Sequence, residues 1–381
     1  MNASRFRIFY LVLLRIMNSA FVLVDSKGPE MLYRTDISAS DPFIYIAPTG
    51  KTPIVFFDAR EYDVQLQKIQ SLGNTISVER LEPYAKSSLA ETLVNILQKY
   101  NIDEAKVSPN MPHVLACAIQ DVGIQVSIYD FASERDKKTE DEIQKMIIAQ
   151  RVNESALLLV WNILAESSIQ DSLILYQGQV LTSEYMKSRL KIHLLEQGYD
   201  CPEGIIVASG EQTARPHDEG SGPLLPHECI IVDIFPRSEK TGFFADMTRT
   251  FVKGKAKKEL QNLFQVVQDV QKEIADSISV GELCSTVHKR TVEAFKKRGH
   301  SASPEKGFMH GTGHSLGLSI HEGPRLNSSC DRIIEPGMTL TVEPGLYYPG
   351  IGGVRIEDVI VFHPDGTKEN ITQFNKPLYI L

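Results

Sequence analysis

Four acidic residues stand where apolar strands should run on, and no other feature restricts the fold of this chain so tightly. Asp233 closes the run Ile230-Ile231-Val232, and Asp246 interrupts Phe243-Phe244-Ala245-Asp246-Met247-Thr248-Arg249-Thr250. Glu343 follows Thr339-Leu340-Thr341-Val342, and Glu357 follows Gly353-Val354-Arg355-Ile356. A carboxylate on an otherwise apolar strand must face solvent or be paired, because burying an unpaired ion costs several kcal/mol. Between the two acidic pairs lies the densest run of histidine and glycine in the chain, His310-Gly311-Thr312-Gly313-His314, followed seven residues on by His321-Glu322-Gly323-Pro324.

Taken singly, each acid reads as a solvated strand face or a surface ion pair, and a lone histidine as a satisfied core or surface residue. The ordered set reads differently. Four carboxylates and a histidine converging on one place need cations, and two divalent ions carry roughly the charge that four carboxylates bring. Oxygen-rich ligation with one imidazole suits Mn, Co, Zn or Fe better than a site built on thiolates. The residues alone therefore point to a two-metal hydrolytic centre.

Composition narrows the surroundings. With 381 residues the chain is long enough for two domains, and 42% apolar with 23% charged residues describes an ordinary globular protein. A net charge of −8 argues against a nucleic-acid partner, which a basic patch would have to announce. The five cysteines, at 117, 201, 229, 284 and 330, have neither metal nor disulfide spacing, and a reducing cytoplasm is the simpler reading. The apolar run Ile8–Leu14 behind Arg5 and Arg7 is broken by Arg15 and Asn18 and is too short to span a bilayer. An opening amphipathic helix feeding a strand over Ala20–Val24 is expected there, with a secretory signal as the competing reading.

Short apolar runs at 20–24, 43–47 and 53–58, with a helical pattern over Leu89–Lys99, suggest a small α/β domain. The charged run 132–140 reads as a solvated boundary, and Thr139 with Glu142 makes a capping box for the helix that follows. Residues 155–196 read as helical, and Ser209–His217 as a polar loop. Pro236, Ser238 and Gly242 mark a turn that would bring Asp233 and Asp246 to one face of neighbouring strands. Helices are expected over Leu260–Ile278 and Glu282–Arg298. Period-two alternation sends Glu343 and Glu357 away from their apolar neighbours and puts Arg355 on the face of Glu357.

Five words in this order carry a resemblance: Asp246-Met247-Thr248-Arg249-Thr250-Phe251, His310 to His314, His321 to Pro324, Val342-Glu343-Pro344-Gly345-Leu346-Tyr347, and Val354-Arg355-Ile356-Glu357-Asp358. Residues 140 to 381 resemble the pita-bread metallopeptidases, namely methionine aminopeptidase, aminopeptidase P, prolidase and their metal-free relative creatinase. Met31–Thr35 and Ser40–Ile46 look like the N-terminal domain that creatinase, prolidase and aminopeptidase P share. The resemblance implies an α/β (α+β) fold in two parts. A small creatinase-like domain over 1–135 would precede a pita-bread domain over 136–381, with a curved antiparallel sheet covered by helices.

It also implies roles. Asp246 and Glu357 would bridge two divalent metals, manganese first among the candidates; Asp233 would chelate one, and His314 and Glu343 complete the other. A metal-bridging hydroxide would attack the scissile carbonyl, with Glu343 as general base. His310 and His321 would contact the substrate and the oxyanion, and His217, in its Pro-His context, would play a similar part. Arg355 would orient a ligand carboxylate from behind, and Gly311, Gly313 and Gly317 would allow close backbone approach. Methionine aminopeptidases lack a histidine at the position of His310 and lack the N-terminal domain, so the resemblance favours a cytoplasmic, homodimeric peptidase of the Xaa-Pro branch, with no nucleic-acid or membrane partner. An Xaa-Pro aminopeptidase is the leading expectation, with prolidase, a methionine-type aminopeptidase, a non-catalytic binding protein and a creatinase-like amidinohydrolase as alternatives.

Overall fold

In the computed structural model, residues 17–73, 75–375 and 379–380 are described. The apolar run Ile8–Leu14 and the amphipathic helix expected over it lie outside the described residues. The chain divides into two compact units between Phe131 and Ala132.

In the N-terminal unit, six strands form one sheet: β1 (Ser19–Asp25), β2 (Phe43–Pro48), β3 (Ile54–Phe57), β4 (Ser77–Arg80), β5 (Glu104–Val107) and β6 (Gln125–Ile128), ordered β4-β3-β2-β1-β5-β6. β1, β2 and β3 pair antiparallel, and the outer neighbours pair parallel. The helices are α1 (Pro29–Thr35), α2 (Tyr62–Leu72), α3 (Leu89–Lys99) and α4 (His113–Asp121). Alternation along the strands sends successive side chains to opposite faces. Val22, Ile44, Ile46 and Phe56 pack with Leu93 and Ile96 of α3 and Ile119 of α4, while Leu23, Tyr45, Val55 and Phe57 pack with Met31 of α1 and Ile69 of α2.

The C-terminal unit opens with the 27-residue helix α5 (Glu140–Glu166). Its capping box is formed: the Thr139 hydroxyl accepts the Glu142 N–H at 3.3 Å, and Glu142 Oε2 accepts the Thr139 N–H at 2.8 Å. The charged run before it is not solvated throughout, since Arg135, Asp136 and Lys138 are buried at 4–5% exposure. The helical pattern expected over 155–196 is interrupted by a meander, β7 (Ser168–Gln170), β8 (Leu173–Tyr176) and β9 (Gln179–Val180), before α6 (Ser183–Leu195).

The sheet layer follows as short ladders. β10 (Tyr199–Asp200) pairs with β13 (Arg237–Ser238), and β11 (Ile205–Ser209), β12 (Ile230–Ile234) and β14 (Met247–Lys253) lie side by side, antiparallel, with β22 (Tyr379–Ile380) parallel at the edge. β15 (Gly313–Ser315) pairs with β16 (Glu322–Leu326), β17 (Thr339–Val342) with β20 (Asp358–Phe362), β18 (Gly345–Tyr348) with β19 (Gly352–Arg355), and β21 (Lys368–Asn370) with β20. Helices α7 (Lys258–Ser277) and α8 (Cys284–Lys297), at the expected places, share one apolar core with Leu340, Val342, Val354 and Ile360. A second core joins α5 and α6 to Val207, Val232 and Met247. Among the described residues no helix is long and apolar enough to cross a membrane.

Candidate metal centre

Asp246, Glu343 and Glu357 fall just outside strand ends, where the ladder stops consuming backbone groups, while Asp233 is the penultimate residue of β12 and paired within it. Asp233 is opposite Thr248 across the β12–β14 pair, and Asp246 immediately precedes β14, two residues from Thr248 on the same face. Two buried amides fix this corner from behind: Gln150 of α5 donates to the Asp246 carbonyl at 3.0 Å and accepts its N–H at 3.3 Å, and Asn153 donates to the Ile234 carbonyl at 2.7 Å. Glu343 follows β17, its N–H bonded to the Thr312 carbonyl at 2.9 Å. Glu357 lies between β19 and β20. Its N–H donates to the Thr248 carbonyl at 3.1 Å, and its Oε2 accepts the Thr248 hydroxyl at 2.8 Å. Next to it, a buried ion pair between Arg249 and Asp358, 2.9 Å apart, ties β14 to β20.

His314 comes in on β15. Its N–H donates to Thr341 Oγ1 at 3.0 Å, and that hydroxyl also reaches Glu343 Oε1 at 3.3 Å. The approach of β15 to β17 requires glycine, because a Cβ at Gly313 would stand 1.9 Å from the Thr341 carbonyl oxygen. The His314 Nδ1–H donates to the Ser315 carbonyl at 3.1 Å, which leaves the Nε2 lone pair pointing at Glu343 Oε1, 3.4 Å away, and Asp246 Oδ2, 3.7 Å away. Burial, and after it the neighbouring His321, pushes the His314 pKa down to about 3. A bare ring nitrogen this close to two carboxylate oxygens is a donor set that suits a shared cation. One ligand atom each from Asp246, His314 and Glu357 lie within 4.8 Å of one another.

The carboxylates feel one another. Burial and then the charge of Glu357 raise the Asp246 pKa well above the ordinary range, burial and then Glu343 do the same to Glu357, and burial pushes Glu343 up to about 7. Asp233 has a counter-ion: Arg355 Nη2 donates to its Oδ2 at 2.8 Å, while Nε donates to Thr248 Oγ1 at 3.2 Å and Nη1 to the Tyr347 hydroxyl at 2.9 Å. That hydroxyl meets His310 Nε2 at 2.9 Å, and His310 Nδ1 meets the Gly311 carbonyl at 2.8 Å. A carbonyl only accepts, so Nδ1 carries the hydrogen, Nε2 accepts from Tyr347, and both His310 nitrogens are engaged.

All nine residues singled out from the sequence, Asp233, Asp246, His314, Glu343, Glu357, His310, His321, His217 and Arg355, line one cavity of about 480 Å³. His217 and His321 are exposed at its rim, and the His321 ring meets that of His314 edge-on, centroids 4.5 Å apart. Sequence reasoning passed over Tyr347, which joins His310 to Arg355, and two residues of the cavity lining, Glu203 and Arg325, the latter an exposed cation whose guanidinium has no hydrogen bond or ion pair among the described residues. Arg325 alternates with buried Pro324 and Leu326 on β16, and that period was the available signal.

The class is defined by shape first. Over 96% of this chain and 95% of the other, the fold superposes on an Xaa-Pro dipeptidase from Bacillus anthracis with a TM-score of 0.79 at 22% identity, a pita-bread architecture. The family follows from sequence. Residues 136–364 match metallopeptidase family M24, and the chain belongs to that family. Among its relatives, the uncharacterized peptidase YqhT of Bacillus subtilis is 36% identical over 197 residues, which is 51% of this chain and 54% of that protein. An Xaa-Pro dipeptidase of Pyrococcus horikoshii is 24% identical over 356 residues, 92% of each.

Proposed function

We propose that this protein is a divalent-metal-dependent exopeptidase that hydrolyses the bond between an N-terminal residue and a following proline. The observation that carries the metal part is the bare Nε2 of His314 facing Asp246 and Glu343 among buried carboxylates that raise one another's pKa. Asp233, Asp246, His314, Glu343 and Glu357 would hold two ions, with Mn, Co, Zn and Fe all suited to this donor set. Such ions polarise a carbonyl and lower the pKa of water from about 15.7 toward neutrality. Glu343 would accept the proton from the attacking water and return it to the leaving prolyl nitrogen. Arg355 holds Asp233 in one orientation and is itself held by Tyr347. His321, His217 and His310 line the cavity, and since both His310 nitrogens are engaged, His321 and His217 are the imidazoles that can meet the developing oxyanion. Proline at the second position has no amide hydrogen, so the wall that receives it must read ring shape; Ile205, Ile206 and Phe235 supply apolar surface in the same cavity. The similarity to proteins of Pyrococcus horikoshii and Bacillus anthracis that are named Xaa-Pro dipeptidases supports this choice. A cytoplasmic homodimer loaded with manganese belongs to the same reading.

A second reading, restriction to Xaa-Pro dipeptides, is favoured by Arg325, whose guanidinium in the cavity wall suits the carboxylate that only a dipeptide presents next to its proline. The deciding assay uses chelated protein, restored with Mn or Co, on Xaa-Pro, Xaa-Pro-Yaa and Met-Ala-Yaa. Metal-dependent release of Xaa from both proline substrates supports the aminopeptidase reading, and release from the dipeptide alone supports the second. Turnover of Met-Ala-Yaa alone, or no turnover with metal bound, overturns both.

A further inference from the structure

We infer that Arg135 and Lys138, through the buried carboxylate of Glu322, are positioning residues for His321. The inference rests on the reading that His321 faces the substrate. The His321 imidazole makes no hydrogen bond or ion pair among the described residues, and its ring contact is with His314. An exposed side chain on a loop, without a polar anchor, points in one direction only if the backbone beneath it is held.

Glu322, the next residue, supplies that hold. Its side chain is 1% exposed, and Arg135 Nε donates to Oε1 at 2.9 Å while Lys138 Nζ donates to Oε2 at 2.9 Å; the two cations are 4% and 2% exposed. Oε1 also accepts the Ser319 N–H at 3.2 Å, closing the stretch 319–322 on itself, and Lys138 Nζ reaches Ser315 Oγ, one residue from His314, at 3.2 Å. The carboxylate thus ties residues 319–322 to Arg135 and Lys138, and Lys138 in turn ties them to the segment that carries His314. The loop is folded tightly over it, since a Cβ at Gly317 would lie 2.7 Å from Glu322 Oε2 and 3.0 Å from Lys138 Cε.

Helix capping does not account for these cations, because Thr139 and Glu142 satisfy the start of α5 without them. A buried ion cluster is weak evidence of stabilisation, because desolvation offsets the attraction. Its use is orientational: charge-assisted bonds to both oxygens leave the carboxylate one rotamer.

Two variants, Glu322→Gln and Lys138→Met, test this with two readouts. The first is the Cε1–H NMR signal of His321 in histidine-labelled, metal-free protein at one fixed pH, recognised by its loss in His321→Ala. It should shift or broaden in both variants while the signal of His113, in the N-terminal unit, stays; an unmoved His321 signal in either folded variant overturns the inference, whatever the enzyme's substrate. The second is a double-mutant cycle on Xaa-Pro turnover. Glu322→Gln should lower kcat/KM by about tenfold or more, and adding it to His321→Ala should cost nothing further, whereas independent, multiplying losses would count against the coupling. If the wild-type protein cleaves none of the proline substrates, the functional reading falls, and the imidazole spectrum still decides the positioning role.

Discussion

At the scale of single residues, the centre is built from groups that oppose folding until a cation arrives. Asp246, Glu343 and Glu357 all have pKa values raised above their ordinary ones, burial being the first cause in each. The folded, metal-free protein therefore binds more protons than the unfolded chain over the interval between the ordinary and the raised values. Stability must fall as pH rises across it. For Glu343 that interval runs from its ordinary value of 4.5 to about 7. Thermal melts of chelated protein should show this decline, shallower in Glu343→Gln than in wild type; equal slopes would refute it. Asp246→Asn removes one of the repelling charges, so the metal-free variant should melt higher than wild type while gaining nothing from added Mn. A lower melting point, or a preserved metal response, would contradict the placement of Asp246 at the cation site.

The same scale shows what could be read from the chain beforehand. Each acid broke a short-range strand period, and a broken period is visible in a string of letters. Tyr347 and Arg325 broke none, since an aromatic on a strand and an alternating arginine are ordinary; the meaning of Tyr347 comes from His310 and Arg355, distant in sequence, and that of Arg325 from the cavity it lines. The thiols make the same point: scattered in sequence, Cys284 and Cys330 are neighbours in space, the Ser285 N–H bonded to the Cys330 carbonyl at 3.1 Å.

At the scale of elements, local chemistry decided more than periodicity did. The meander β7–β9 was missed because its apolar residues also fit a helix. Its turns were nonetheless written in the sequence: Asp171-Ser172 and Gln177-Gly178 take positive φ at both positions, the geometry that two-residue hairpins favour. The capping box of α5, by contrast, was legible because its partners lie three residues apart. Thr139→Ala should destabilise the C-terminal unit by about 1 kcal/mol, read as a lower denaturant midpoint with unchanged slope. Gly313→Ala should do more, by roughly 1–3 kcal/mol from overpacking, because its Cβ meets backbone rather than a movable side chain. It should also weaken metal binding by displacing His314, and calorimetric titration with unchanged affinity would argue against that.

At the scale of the whole molecule, the four apolar cores divide with the units, two in each. All the proposed ligands belong to the second unit. Calorimetry should resolve two transitions, of which divalent metal raises one, by about 2.7 kcal/mol at a hundredfold excess over Kd, and leaves the other in place. A uniform shift of both would mean that the units unfold together.

The five proposed ligands are spread from Asp233 to Glu357, and β17, which leads into Glu343, finds its partner only once β20, beyond Glu357, exists. A chain still leaving the ribosome therefore presents no competent site, and a peptide cut anywhere around the histidine cluster carries at most part of one. Whatever cation the centre takes is chosen from the ions available to a finished, folded protein, so its occupant reflects the compartment and moment of maturation as much as the chemistry of the donors.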